Sequence, residues 1–254
     1  NQYDAITVLH DGRLLGVCNA TLYNQYDIII DRIVGISIFD NDNIINYIPS
    51  VSTIFGNYPF NNSTGFNGIE IDNYYPGEKD SWSVQEINNQ SVLFSNSGII
   101  PNLYQDKGGA IEFELFTENI SIYDTTDNVL DGMIGIYKED WDKSYIVTRQ
   151  TTKDPDGNIW IINPFSETYN LLAAIKLTNN DWIHIPAPDV TSYSPQEVAF
   201  DNNGLAWFSF RESSDYYNNF TYSDGGIKVL DTKKTYNDPY DDTWIDIINL
   251  DEID

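Results

Sequence analysis

The residues best placed to do chemistry sit in one short stretch. Asp154-Pro155-Asp156-Gly157-Asn158 sets side-chain oxygens at alternate positions, and alternate oxygens can converge on a hard cation such as Ca²⁺. The twelfth position of such a loop, counted from Asp154, should carry a bidentate Glu and carries Phe165 instead. The same residue types build a tight turn, because Asp and Asn bond back to their own backbone and Gly supplies a positive φ. The turn is the preferred reading, so no metal and no cofactor is expected.

Other catalytic constellations are thin. The candidate general bases are His10 and His184. His184 lies in the alternating run Trp182-Ile183-His184-Ile185, which reads as an ordinary strand position. A glycosidase needs two carboxylates at a set separation, and 39 Asp and Glu residues make any pairing by sequence meaningless. No catalytic residue is assigned. Cys18 is the only cysteine, which excludes an internal disulfide.

The element that must position this stretch recurs. Asp154-Pro155-Asp156-Gly157-Asn158-Ile159-Trp160-Ile161-Ile162 returns as Asp201-Asn202-Asn203-Gly204-Leu205-Ala206-Trp207-Phe208-Ser209. The pairs Asp154 and Asp201, Gly157 and Gly204, and Trp160 and Trp207 are each 47 residues apart, within the period of a four-stranded propeller blade. Each copy reads as a turn feeding an aromatic strand. Trp182 and Trp244 head a second pair of similar strands, 62 residues apart, and an insertion at 211–224 accounts for the extra length. The periodic placement of Trp160, Trp207, Trp182 and Trp244 predicts packing between blades rather than ligand platforms.

The rest of the chain follows the same grammar of short β-rich runs and turns. Asp11-Gly12 joins an early hairpin, Gly109 to Phe116 alternates apolar and acidic residues, and β-branched residues and Asn interrupt every helical window. Residues 55–77, rich in Asn, Gly, Pro and Tyr, read as a long loop. The whole, 1–254, is expected to be an all-β propeller segment of about five blades, with 131–250 the best-defined repeats and 1–130 less regular. It can form part of a larger ring or protein.

Charge narrows the partners. Thirteen Lys and Arg against the 39 acids give a net charge of −26, which disfavours phosphate-rich nucleic acid and anionic membrane surfaces. No apolar run is long enough to span a bilayer. The chain opens at Asn1 without a basic and apolar leader, which suggests a mature product or an excised piece. Insertions in propellers gather in loops on one face, and such faces often bind. Arg211, Tyr216, Tyr217, Phe220 and Tyr222, in and beside the insertion, are the candidate binding residues.

The string Asp-Pro-Asp-Gly-Asn-Ile-Trp-Ile, with Gly225-Gly226-Ile227-Lys228-Val229-Leu230-Asp231 and the intervening Trp strand, resembles the repeats of two-component-type sensor ectodomains. It is similar also to PorZ-like propellers of the Bacteroidota type IX secretion system, whose Asp-Asp pair after a blade strand looks like Asp241-Asp242. The resemblance implies a non-catalytic extracytoplasmic propeller, in the periplasm or at the cell surface, that binds other proteins of a surface complex, with glycan a second candidate ligand. Two alternatives stay open: a sensor ectodomain, and an enzyme like the streptogramin lyases, whose propellers carry similar Asp-Gly-x-x-Trp repeats. Sialidase-type boxes with an arginine triad are absent from a chain whose arginines are Arg13, Arg32, Arg149 and Arg211.

Overall fold

Alternation of β-branched and aromatic residues with Asp, Asn and Gly turns gives a chain of short strands joined by hairpins. The structure, a computed structural model, describes residues 3–23, 29–41, 43–47, 83–96, 98–100, 109–117, 120–123, 127–130, 133–134, 144–146, 148–164, 166, 171–188, 195–211, 213–215, 221–223, 225–238 and 240–249. The loop expected at 55–77 lies outside these residues.

Four sheets of four antiparallel strands carry the fold, and no helix occurs among the described residues. The first holds β1 (Tyr3–Val8), β2 (Leu14–Tyr23), β3 (Ile29–Asp40) and β4 (Asn43–Tyr47) in chain order. The second holds β5 (Ser83–Asn88), β6 (Ser91–Asn96), β8 (Gly109–Glu114) and β9 (Ile120–Tyr123). β7 (Gly98–Ile100) leaves that sheet to pair with β11 (Ser144–Ile146), which pairs in turn with β10 (Met133–Ile134). The third sheet is β12 (Thr151–Lys153), β13 (Ile159–Ile162), β14 (Leu171–Lys176) and β15 (Trp182–Pro186). The fourth is β16 (Pro195–Phe200), β17 (Ala206–Phe210), β20 (Gly226–Asp231) and β21 (Thr243–Asn249), with the hairpin β18 (Ser213–Asp215) and β19 (Thr221–Ser223) inserted between β17 and β20.

The sheets stack face to face in chain order, with β1 beside β5, β5 beside β12, and β13 beside β16. Each middle sheet is therefore covered on both faces. The third shows it best, since β13 and β14 are buried at every position. Ile159, Ile161 and Ala174 join a core with Leu93, Ala110, Leu130 and Ile146 on the side of the second sheet. Trp160, Ile162, Ala173 and Ile175 join Val198, Phe208, Phe210 and Leu230 of the fourth. Period-two alternation thus divides two cores rather than a core from solvent.

One turn is used repeatedly. In the Asp154 turn the amide of residue 154 donates to the carbonyl of Asn158 and that of Gly157 to the carbonyl of Asp154; the same pair of bonds closes Leu9 to Arg13, Leu177 to Asp181 and Asp201 to Leu205. The penultimate residue of each turn is Gly12, Gly157, Asn180 or Gly204, all at positive φ between 73° and 91°. Only Gly, and less readily Asn, adopts that conformation without strain.

Candidate functional site

Asp154, which heads the stretch that could have held a cation, is buried, and its carboxylate is filled from within the protein. Oδ1 accepts the backbone amide of Asn158 at 2.8 Å. Oδ2 accepts Asn158 Nδ2 at 2.9 Å, Trp160 Nε1 at 3.0 Å and the Tyr236 hydroxyl at 2.9 Å. The Asn158 side-chain oxygen reaches on to the amide of Thr178 at 3.2 Å, tying this turn to the β14–β15 turn. Four donors on one carboxylate leave it no geometry for a metal.

Tyr236 and Lys234 come from the β20–β21 connection of the neighbouring sheet. The Tyr236 hydroxyl also reaches Asp156 Oδ2 at 3.2 Å, and Lys234 Nζ reaches Asp156 Oδ1 at 3.2 Å. Burial and then the charges of Asp154 and Asp156 push the Tyr236 phenol far above its ordinary range, so it stays a donor at any physiological pH. Asp154 and Asp156 therefore act as a latch between the third and fourth sheets, and the group that closes it, Tyr236, was not legible from the repeat.

The second copy of the turn is built alike but sits in the open. Asp201 accepts the amides of Asn203 and Leu205 at 2.8 and 2.9 Å. Burial works against its ionised form, and these amides with the side chains of Asn203 and Trp207 outweigh that and lower its pKa. No tyrosine from a further sheet reaches it among the described residues. The Trp pair differs in the same way. Trp160 is 1% exposed, with Phe200 and Phe208 at 5.1 and 6.1 Å. Trp207, expected between blades, is 37% exposed, because it points to the face of the fourth sheet away from the third, where no described sheet packs.

No family model and no curated protein matches the chain. Among solved structures it overlays on PorZ, an essential bacterial surface component of the type-IX secretion system of Porphyromonas gingivalis, over 97% of its own length at 15% identity, with a TM-score of 0.58. It overlays on a protein from Lactobacillus plantarum over 98% of its length at 13% identity, TM-score 0.50. The virginiamycin B lyase of Staphylococcus aureus overlays at 13% identity over 97% of the chain and 71% of the lyase, with a TM-score of only 0.38. The chain spans 27% of PorZ and 56% of the L. plantarum protein. The fold is a β-propeller. Its four-stranded antiparallel sheets are the blades, and Asp154 to Trp160 is the turn by which one blade locks to the next.

A second group of charged and polar side chains also sits at a blade boundary. Between the second and third blades, Lys176 Nζ meets Glu112 Oε2 at 2.5 Å and the Tyr123 hydroxyl at 3.2 Å, while Tyr123 donates to the same carboxylate at 2.8 Å. Trp182 closes this cluster, 4.8 Å from the Tyr123 ring and 5.7 Å from the ammonium. Burial alone would lower the Lys176 pKa; the hydrogen bonds to Glu112 and Tyr123 and the Glu112 charge reverse that and hold it above its ordinary value. Trp182 and Trp244 occupy matching positions, each facing the preceding blade, with Trp244 5.6 Å from Phe208.

Both histidines are engaged across boundaries. His10 Nδ1 pairs with buried Glu86 at 2.7 Å, and its backbone amide donates to the other oxygen at 2.7 Å. His184 Nε2 lies 3.0 Å from the Val129 carbonyl.

The sequence-predicted binding residues are only partly within view. Arg211 is exposed at the exit of β17, beside the β18–β19 hairpin, and Tyr222 lies in β19, where it pairs with Ser214. Tyr216, Tyr217 and Phe220 fall outside the described residues, as does the Tyr222 side chain.

Proposed function

We propose that this chain is a non-catalytic propeller that works outside the cytoplasm, as a docking element of a cell-surface assembly of the PorZ kind. The observation that carries this reading is the internal use of the reactive groups. Asp154 is saturated by four donors, His10 is held by Glu86 and His184 by a backbone carbonyl, and Lys176 is enclosed by Glu112, Tyr123 and Trp182. An active site keeps its nucleophile or base free to meet substrate, whereas these residues join blades.

Three further features support it. The fold likeness to PorZ extends over nearly the whole chain. No helix among the described residues is long and apolar enough to cross a membrane. The net charge of −26 suits a protein partner with a basic face, and the inserted β18–β19 hairpin beside Arg211 is where such a partner, or a glycan, would be read.

The test is site-directed cross-linking on intact producing cells, with the cross-linker on the β18–β19 hairpin. Adducts are expected on the outer surface, weakened as salt is raised and kept with His184→Ala. Turnover of any substrate by the purified chain, abolished by His184→Ala, would establish the enzyme reading instead.

A further inference from the structure

Each blade has two unlike faces, and among the described residues one face of the first blade and one of the fourth meet no other blade. On the inner boundaries, the face of one blade that carries the turn-linked residue, Trp160 in the third, packs on the opposite kind of face of the next, Phe208 and Trp244 in the fourth. The fourth blade presents its own copy of the first kind. Trp207, Val229 and Ile245 are cross-strand neighbours in one row; Trp207 and Ile245 are exposed, and Val229 between them is buried.

The first blade presents the second kind. Leu15 and Ile38, paired across β2 and β3, are buried. The row on the other face is Val8, Leu14, Phe39 and Ile44, paired strand to strand, with Ile6 two residues along β1. Ile6, Val8, Leu14 and Ile44 are between 43% and 62% exposed. A contiguous apolar row exposed on a sheet face marks an interaction surface.

We propose that these two faces bind each other between copies: the Trp207–Ile245 face of one chain takes the Val8–Leu14–Ile44 face of a second, head to tail, as one more blade boundary. The occupant is identified by continuity with the boundary already formed inside the chain, where a Trp held by an Asp turn is buried by apolar side chains of the next blade. The two rows are uncharged along the paired positions, so the strong acidity of the chain is not concentrated at the contact. Because the faces differ, the contact is heterologous; it closes into a ring if the rotation permits and otherwise extends. This proposal stands apart from the docking role of the β18–β19 hairpin.

Sedimentation velocity of the chain over a range of concentrations tests it, with Val8→Glu and Ile245→Glu as variants. Both residues are solvent-exposed in the single chain, so neither change should disturb folding, and circular dichroism checks that. Wild type is expected to associate and each variant alone to remain monomeric. An equal mixture of the two variants should recover a dimer, because the intact Trp207 face of one meets the intact Val8 face of the other. A wild type monomeric at every concentration overturns the proposal. So does association that survives both substitutions, or a mixture that fails to recover the dimer.

Discussion

At the scale of single residues, the same side chain does different work according to what covers it. Asp154 and Asp201 head turns with the same backbone bonds, yet one holds a tyrosine of the next blade and the other only its own amides and the side chains of Asn203 and Trp207. The turn itself was legible in the sequence, since Asp, Gly and Trp at fixed offsets each have a local reason to be there. The covering was not, because Tyr236 lies 82 residues from Asp154 and follows no motif. Near it, Asp242 has its pKa raised from 3.8 to about 6 by burial and then by Asp241, Asp231 and Asp238. A folded-state pKa above the unfolded one means that the folded chain holds a proton the unfolded chain has lost, so stability from this group is full below about 3.8 and falls as pH rises through about 6. Asp242→Asn is therefore expected to unfold at higher urea than wild type at pH 7, with the gap closing toward pH 4. A gap independent of pH would show that Asp242 has an ordinary pKa.

At the scale of elements, alternation in the sequence marks strands but not what each face meets. The run Gly109 to Phe116 alternates apolar and acidic residues, which suggests a solvent face; instead Glu112 turns toward the third blade and meets Lys176. Lys176 ends the otherwise apolar strand β14 and is itself buried. At the matching place in the fourth blade stands Leu230, in the same register with Trp244 as Lys176 with Trp182. A charged pair can thus be exchanged for an apolar one within this architecture. Lys176→Leu alone leaves the Glu112 carboxylate without its counter-ion, held only by the Ser91 and Tyr123 hydroxyls, and should cost about 3–5 kcal/mol. Adding Glu112→Leu should recover most of that loss, as read from urea midpoints. If the double variant is no better than the single, the pair is required for more than mutual neutralisation.

At the scale of the molecule, blades are joined by side chains reaching over each boundary: Glu86 to His10, Lys176 to Glu112, Val129 to His184, and Tyr236 to Asp154. Ser83 and Thr151 add a reciprocal pair between the inner strands of the second and third blades. The 47-residue repeat made the propeller readable, but these links are long-range and single, so no periodicity announces them. They also turn the acidic and basic residues that could have suggested catalysis into fasteners. The central claim, that the Asp154 turn is a latch between blades rather than a site, rests on the bond between its carboxylate and the Tyr236 hydroxyl. A double-mutant cycle with Asp154→Asn and Tyr236→Phe, measured by urea unfolding, tests it most directly. A favourable coupling of about 0.5–3 kcal/mol is expected, the range for residues sharing a hydrogen-bond network; strictly additive effects would contradict it.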